Sequence, residues 1–344
     1  MKNKKSIIFR IFIILVVSIF LFSGCDKKEE EIELKGESKI EEVPKIKVVD
    51  TDSKTRPYAV AINNTPVAVK VQEGLNKAYL VYEIPTEGFT SRLLAFFKNQ
   101  DDITLGTIRS ARHNFMDYAH ESDAIFVCFG WSHYAKDELA KGGTDYLNGN
   151  ERRWSSVFWR NNPEKLASEH TAYTSINNIK NYITKNEYRL ESEKSEDTIL
   201  LNYKVEEVNL DELEGVNEAN EVTLPYGNIT TVFKYNSDTK EYTKYVNGVE
   251  IKDHNTKESI TTKNIIIVKI DYKVASDNKY WDLKNTGTGE GFYITNGKYV
   301  PIKWSKETRN SKTKYTYLNG DEIEVNDGRT YIEVHTNKKK ATIQ

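Results

Sequence analysis

Two arginines three positions apart dominate the part of this sequence that could carry chemistry. Arg109 and Arg112 flank Ser110 in the string Arg-Ser-Ala-Arg, and Arg92 lies on a preceding strand-like run. Guanidinium groups bind carboxylate or phosphate through paired N–H donors. The pattern from residue 111 predicts a helix, whose first turn presents free N–H groups and a partial positive charge. The string therefore predicts an anion-binding site.

The same residues also fit a purely structural role. Ser110 would then only cap the helix, and the arginines would pair with the carboxylates of Glu83, Glu87 or Asp123. Both interpretations stay open, because carboxylates commonly orient the side chains that bind a ligand.

Further polar and aromatic residues are predicted to surround the arginines. Trp131 and His133 follow a buried strand, at a carboxyl end of the kind where ligands of α/β proteins bind. His170 and Tyr173 lie in a polar turn before a helix, and Asn63 ends the first strand. The predicted ligand-binding residues are Asn63, Glu83, Glu87, Arg92, Arg109, Ser110, Arg112, Trp131, His133, His170 and Tyr173.

Signals for catalysis are weaker. A nucleophilic Ser110 or Ser132 would need a histidine base, for which His113, His133 and His170 are available. The sequence contains no Gly-x-Ser-x-Gly elbow, no His-x-x-x-His pair and no paired-cysteine motif. We therefore expect neither a metal site nor a cofactor, and the sequence favours a binding protein over an enzyme.

The elements that must position these residues alternate between strand and helix in segment 55–194, which predicts a layered α/β domain. Ser175 is the predicted N-cap of the last helix. Predicted strands span residues 58–62, 79–84, 90–97 and 124–129, and predicted helices span residues 73–78, 111–121, 132–140, 162–167 and 175–185.

The pattern changes beyond a polar connection at residues 195–222. Short β-rich runs in segment 223–336 are punctuated by Asn-Gly pairs at 247–248, 296–297 and 319–320, each a tight hairpin signal. The run at 265–270 predicts a central strand, and the Gly-x-Gly-x-Gly stretch at 287–291 predicts a loop. The expected fold is α+β: a layered α/β domain, then a mainly β domain resembling a sandwich or barrel. Residues 337–344 form a basic tail.

The first 25 residues predict export and lipidation. Three lysines precede an apolar run at 7–22, which contains Arg10 near its start and no acidic residue, and the segment ends in Ser-Gly-Cys. This resembles the bacterial lipobox, although Phe22 stands where that motif usually has leucine. The run is short against the roughly 20 residues that span a bilayer, so an uncleaved transmembrane anchor is the less favoured alternative. We expect a diacylglyceryl Cys25, carrying fatty acyl chains such as palmitate, and a flexible tether at 26–54.

Charge and cysteine content limit the partners. The 344-residue chain has a formal net charge of −2, and loss of the four basic groups in residues 1–25 leaves −6. This acidic balance argues against nucleic acid as the partner, because a nucleic-acid-binding protein needs a basic surface. With Cys25 lipidated, Cys128 has no cysteine partner within the chain, and its apolar surroundings predict burial.

The chain resembles the YerB-like family of bacterial lipoproteins across nearly all of its mature length. The Arg-Ser-Ala-Arg string is the most specific part of this resemblance. Other matching stretches lie at residues 56–64, 72–75, 81–88, 158–160, 170–174, 303–306, 320–323 and 327–332. The resemblance implies a two-part lipoprotein and implies no particular activity.

Together these patterns predict a lipid-anchored protein on the extracytoplasmic face of the bacterial cell membrane. Its expected partner is an anionic envelope ligand: a peptidoglycan fragment, a phosphate-linked polymer or a peptide carboxylate. Two alternatives stay open. One is an envelope enzyme acting on a phosphodiester or acyl group, with arginines stabilising developing charge. The other is a scaffold that binds an envelope protein.

Overall fold

A computed structural model of the chain describes residues 44–162, 164–194 and 199–344. The predicted signal peptide, Cys25 and residues 26–43 of the predicted tether lie outside these ranges. The expectation of a free tether up to residue 54 is wrong, because the N–H groups of Lys47 and Val48 donate to the Asp327 carboxylate and Val49 is buried in the core. In the part described, no helix has the length and apolar character needed to cross a bilayer.

The first half of the chain contains eight strands, three α-helices and five 3-10 turns in the described residues. The strands are β1 (Tyr58–Asn63), β2 (Leu80–Thr86), β3 (Thr90–Phe97), β4 (Thr104–Gly106), β5 (Ile125–Cys128), β6 (Tyr146–Asn148), β7 (Phe158–Arg160) and β8 (Ala172–Ser175). The helices are α1 (His113–Ala119), α2 (His133–Ala140) and α3 (Ile176–Lys185). The 3-10 turns are Val69–Val71, Leu75–Lys77, His120–Ser122, Arg152–Trp154 and Ser168–His170.

The second half is built from strands in its described part. They are β9 (Tyr203–Lys204), β10 (Asn217–Glu218), β11 (Glu221–Pro225), β12 (Thr230–Asn236), β13 (Glu241–Val246), β14 (Val249–Glu250), β15 (Thr261–Thr262), β16 (Asn264–Ile270), β17 (Tyr272–Val274), β18 (Trp281–Leu283), β19 (Gly287–Thr295), β20 (Lys298–Lys306), β21 (Lys314–Tyr317), β22 (Val325–Asn326), β23 (Thr330–Thr336) and β24 (Thr342–Ile343). The prediction of an α+β fold with a mainly β second part is confirmed.

One large sheet joins the two halves of the chain. Its strand order is β10-β20-β19-β16-β23-β2-β3-β1-β5-β6, with β21 on the outside of β20. The junction is a parallel pairing of β2 with β23, from Leu80 opposite Thr330 to Glu83 opposite Glu333. Residues 44–344 accordingly form one compact unit. The boundaries at 194 and 223 stay a prediction, but hydrogen-bonded pairing crosses them.

Both faces of this sheet are covered. A second sheet, in the order β14-β13-β12-β11-β24 with β15 on β13, packs against one face. Helices α1 and α2 cover part of the other face. The residues that fill the first interface include Val81, Ile265, Ile267, Phe233, Tyr242 and Leu224. Those that fill the second include Tyr82, Ile84, Phe96, Phe115, Met116 and Leu139.

Local sequence signals account for several element boundaries. The Ser175 side chain accepts the N–H of Asn178 and caps α3, as predicted, and Ser132 caps α2 in the same way. The Asn-Gly pair at 296–297 joins β19 to β20 with both residues at positive φ, 52° and 77°, as a two-residue hairpin turn requires. The pair at 247–248 joins β13 to β14 likewise.

Two predicted helices are wrong or shorter than expected. The described residues of the range 162–167 are not helical, because Asn162 precedes a proline and its amide side chain instead bonds Leu166. In the range 73–78 the chain makes only the 3-10 turn Leu75–Lys77.

The glycine-rich stretch at 287–291 is also not a loop, because it lies within β19. A Cβ at Gly289 would lie 2.5 Å from the indole nitrogen of Trp304, and a Cβ at Gly291 would lie 2.2 Å from the Ile267 carbonyl oxygen. These glycines let a ring and a neighbouring strand approach the backbone closely.

A buried ion pair lies between the two sheets. Glu83 and Lys244 are almost wholly buried, and Lys244 Nζ lies 2.6 Å from Glu83 Oε2. The other carboxylate oxygen, Oε1, accepts hydrogen bonds from Ser91 and Thr231. Glu333, opposite Glu83 in the sheet, is fully buried too, and burial together with the charge of Glu83 raises its pKa well above the usual range.

Candidate functional site

Arg92 is the most deeply buried guanidinium of the predicted cluster. It lies on β3 opposite Asn63 of β1, and only 7% of its surface is exposed. One arm of the guanidinium donates to the Ser110 carbonyl oxygen over 2.5 Å, and the other lies 3.9 Å from a Glu87 carboxylate oxygen. Arg92 therefore joins the sheet to the chain segment that carries the other arginines.

Arg112 makes a two-pronged contact with Glu87. Its Nε lies 2.9 and 2.8 Å from the two carboxylate oxygens, and its Nη2 also bonds Oε1. Its Nη1 donates to the Ala111 carbonyl over 2.9 Å, and its guanidinium lies over the Tyr280 ring, 5.1 Å from the centroid. Glu87 is thus the carboxylate that orients Arg112, one of the pairings that the sequence left open.

Arg109 lies between β4 and α1, and its side chain has unused donor capacity. Its backbone N–H donates to Ala61, and its Nη1 and Nη2 lie 3.2 Å from the carbonyl and a carboxylate oxygen of Glu169. The buried Nε has no hydrogen-bond partner among the described residues. The carboxylate of Glu169 is 53% exposed, so it is an easily displaced partner.

The expected placement of this string on a helical turn is wrong. Helix α1 begins at His113, and Arg112 precedes it with extended backbone angles, φ −122° and ψ 148°. Ser110 does not cap the helix, because its hydroxyl donates to the Phe129 carbonyl. The arginines converge because segment 109–112 runs between β1 and the end of β5, a long-range arrangement that helical spacing does not describe.

Positive charge is crowded in this cluster. Burial lowers the pKa of Arg92 well below its usual value, and the charges of Arg112 and Arg109 lower it further. Burial opposes ionisation of Glu87, but hydrogen bonds and charge from Arg112 outweigh it, and the pKa of Glu87 is lowered. Three guanidiniums face two carboxylates, those of Glu87 and Glu169, so the cluster has one positive charge in excess.

A second polar pair adjoins the cluster. The side-chain amide of Asn63 lies 2.8 Å from His170 Nδ1, and His170 Nε2 lies 3.9 Å from the Glu169 carboxylate. Burial, and next the charge of Arg109, lower the pKa of His170, which favours the neutral ring. The amide can then donate to an unprotonated Nδ1, which leaves Nε2–H directed toward Glu169.

Several predicted residues lie apart from the arginines. Glu83 belongs to the buried ion pair on the other face of the sheet, because Ile84, not Glu83, stands opposite Arg92. Tyr173 donates its hydroxyl to the Val71 carbonyl. These contacts are structural ones. Trp131 does lie next to the arginine string, because its backbone pairs with Ala111, and its ring packs edge-on against Tyr146. His133 lies on the border of the cluster, 5.4 Å from the ring of Tyr280.

The serines considered as nucleophiles are not paired with histidines. The Ser110 hydroxyl bonds the Phe129 carbonyl, and the Ser132 hydroxyl accepts the N–H of Ala135. Cys128 is buried, and burial raises the pKa of its thiol, so the thiolate is disfavoured. Within the described ranges, no group of three or more His, Cys, Asp or Glu side chains is arranged to hold a metal ion.

Sequence reasoning missed the contribution of the second half to this region. The hairpin of β17 and β18 lies against α1, where the Trp281 carbonyl accepts from Asn114 and Asp282 lies 2.7 Å from His113. Tyr280 in this hairpin covers Arg112. The sequence offered one signal for this contact: Tyr280 and Trp281 are adjacent aromatic residues in an otherwise polar segment.

Comparison with known proteins places both halves in one family. The family description "Protein of unknown function (DUF3048) N-terminal domain" matches residues 46–189, and the corresponding C-terminal domain matches residues 222–332. YerB of Bacillus subtilis (strain 168), described as a lipoprotein, is 33% identical over 278 residues, which is 80% of this chain and 77% of YerB. The crystal structure of YerB from Bacillus subtilis superposes with a TM-score of 0.73 at 28% identity, covering 87% of this chain and 97% of that one.

Proposed function

This chain belongs to the YerB-like family of bacterial lipoproteins, and we propose that it binds an anionic ligand of the cell envelope through Arg92, Arg109 and Arg112. The lipoprotein description of YerB supports membrane anchoring of the chain. The finer proposal is that Cys25 carries the lipid and that the arginine cluster faces the extracytoplasmic space.

The crowding of charge around Arg92 is the observation that carries the proposal. A buried guanidinium beside two others is unfavourable in the absence of enough negative charge. Glu87 is shared, with close contacts to Arg112 and a 3.9 Å contact to Arg92. An anion that reached Arg92 and the free Nε of Arg109 would relieve this repulsion and satisfy a buried donor.

Carboxylate and phosphate both suit this arrangement, because each accepts paired N–H donors. The ligand would displace the exposed carboxylate of Glu169 from Arg109, while Glu87 would keep Arg112 oriented. The structural role and the binding role of the arginines are therefore compatible: Glu87 fixes the geometry, and Arg109 with Arg92 supplies the donors.

Arg109→Ala is expected to abolish ligand-induced stabilisation at little cost in stability. The Glu169 carboxylate is half exposed, so loss of its pair with Arg109 costs about 1 kcal/mol or less. A ligand at 100 times its dissociation constant stabilises the wild type by about 2.7 kcal/mol, which the variant would lose. The measurement is thermal unfolding of the full chain in detergent with phosphate, citrate, muropeptides and teichoic-acid fragments.

Arg153→Ala is the matched control, because Arg153 makes an exposed pair with Glu151 over 3.0 Å. It is expected to keep the ligand response. Arg112→Ala is less informative, since it would leave the largely buried Glu87 carboxylate without its main partner. Absence of any shift on the wild type, or an equal shift in Arg109→Ala, would rule out binding at this cluster.

Cys25→Ser tests the anchoring. The variant is expected to leave the membrane fraction or to accumulate as an unprocessed precursor, because the thiol that accepts the diacylglyceryl group is absent. Intact-mass measurement of the wild type should show a diacyl adduct on a chain that begins at Cys25. A mature wild-type chain without lipid, beginning at another residue, would contradict the proposal.

A further inference from the structure

An aromatic surface borders the arginine cluster. Phe89 is 54% exposed, and its ring lies 5.8 Å edge-on from that of Trp281. Trp281 stacks on Tyr272 with ring centroids 4.1 Å apart. Tyr280, the residue before Trp281, lies under the Arg112 guanidinium. Phe89, Tyr280 and Trp281, called here the aromatic border, come from two hairpins that are distant in the sequence.

The aromatic border and the arginines are joined by a continuous chain of contacts. Glu87, which holds Arg112, and Phe89 share the three-residue loop between β2 and β3. From Arg112 the contacts continue to Tyr280, then along the chain to Trp281, and back to Phe89. A ligand bound to the guanidiniums would therefore extend over these rings.

The position of Phe89 is fixed at a local conformational cost. Its φ of 54° lies in the left-handed region, which is unfavourable for a bulky side chain. Asn228 donates its backbone N–H to the Phe89 carbonyl over 2.6 Å, and a Cβ at Gly227 would lie 2.5 Å from the Phe89 Cβ. The neighbouring turn thus holds an exposed ring where glycine or asparagine would suit the backbone better.

Polar groups flank the rings. Glu87 lies on one side, His113 with Asp282 on another, and His133 with Asp277 beyond Tyr280. One exposed ring and two partly buried ones, with carboxylates and imidazoles around them, fit a ligand that has both flat C–H faces and hydroxyl groups. A sugar ring has both, since its axial C–H bonds pack on an aromatic face and its hydroxyls bond to the rim.

We infer that the ligand of this site is a glycan that carries a carboxylate or phosphate group, with its sugar ring on Phe89 and Trp281 and its acid on Arg92 and Arg109. This inference rests on the proposed function and adds the class of ligand. It gives a role to the exposed Phe89, which stability alone does not require.

The test compares four probes on the full chain by calorimetry. They are the disaccharide N-acetylglucosaminyl-N-acetylmuramic acid, neutral tri-N-acetylglucosamine, lactate and an acidic tetrapeptide. The disaccharide is expected to bind at least about tenfold more tightly than lactate or the neutral trimer, because it alone uses both rings and arginines.

Phe89→Asn separates binding from folding. Asparagine tolerates positive φ, so the variant should unfold at the same temperature as the wild type or higher. It should weaken the disaccharide about tenfold and leave lactate binding unchanged, and Phe89→Tyr, which keeps a ring, should restore the affinity. Leu318→Ala is the control for loss of an exposed apolar side chain, since Leu318 is 40% exposed and is not part of the aromatic border.

The outcomes distinguish the inference from the proposed function. Binding of lactate that depends on Arg109, with no gain for the disaccharide or no loss in Phe89→Asn, would overturn the glycan assignment and keep the anion site. Tighter binding of the tetrapeptide than of the disaccharide would assign the surface to peptides instead. If none of the four probes binds the wild type, the glycan assignment is overturned; the anion site falls with it only if phosphate and teichoic-acid fragments also fail to shift thermal unfolding of the wild type.

Discussion

Lys244→Met is expected to destabilise the protein by about 3–5 kcal/mol, because it leaves the Glu83 carboxylate charged and buried without its ion partner. Glu83 has no solvent exposure, and Lys244 Nζ is 2.6 Å away. Burial opposes the charge on Lys244, but attraction to Glu83 and to other neighbours raises its pKa. Chemical denaturation of wild type and variant at neutral pH measures the difference.

Two further variants identify the cause. The double variant Glu83→Gln/Lys244→Met removes both charges and is expected to recover most of the lost stability. Glu333→Gln is the matched control: the raised pKa of Glu333 favours a neutral carboxyl, which an amide resembles in shape and charge. A loss below about 1 kcal/mol in Lys244→Met would mean that the pair contributes no more than a surface one.

Neither half of the chain is expected to fold alone, although the family is described as having two domains. A fragment of residues 44–194 would expose the edge of β2 that pairs with β23, along with the face that the second sheet covers. A fragment of residues 199–344 would lose the same contacts from the other side. We expect each fragment to unfold without a cooperative transition, and their mixture to regain one.

The intact chain provides the control for this experiment. A protease site that replaces residues 195–198 should allow cleavage of the folded protein into two pieces that stay associated on size-exclusion chromatography. Cooperative unfolding of the isolated fragment 44–194 would show instead that the shared sheet is dispensable for the first half.

Features encoded by a few neighbouring residues were predictable from the sequence. The cap at Ser175 and the turn at Asn296 and Gly297 depend on chemistry within four positions, and the structure has both. The cluster of Arg92, Arg109 and Arg112 was predictable as a group, but for the wrong reason, since helical spacing does not bring them together.

Features that depend on strand register were not predictable. Arg92 stands opposite Ile84, so Glu83 projects from the other face of the sheet and meets Lys244. A shift of one residue in the pairing would reverse this, and no local signal specifies it. The pairing of β2 with β23 and the approach of Tyr280 to Arg112 were not predictable either, because both join residues far apart in the sequence.

The central place of β23 also bears on when the protein can fold. This strand, Thr330–Thr336, lies near the end of the chain, yet it separates β2 from β16 in the middle of the large sheet. Contacts between residues so distant in sequence form slowly, because a long loop must close before they are made. Under the proposed export from the amino terminus, β23 would cross the membrane after all the other strands of the large sheet. Late arrival of β23 would therefore delay closure of the sheet, so the chain would stay unfolded during its passage through the membrane.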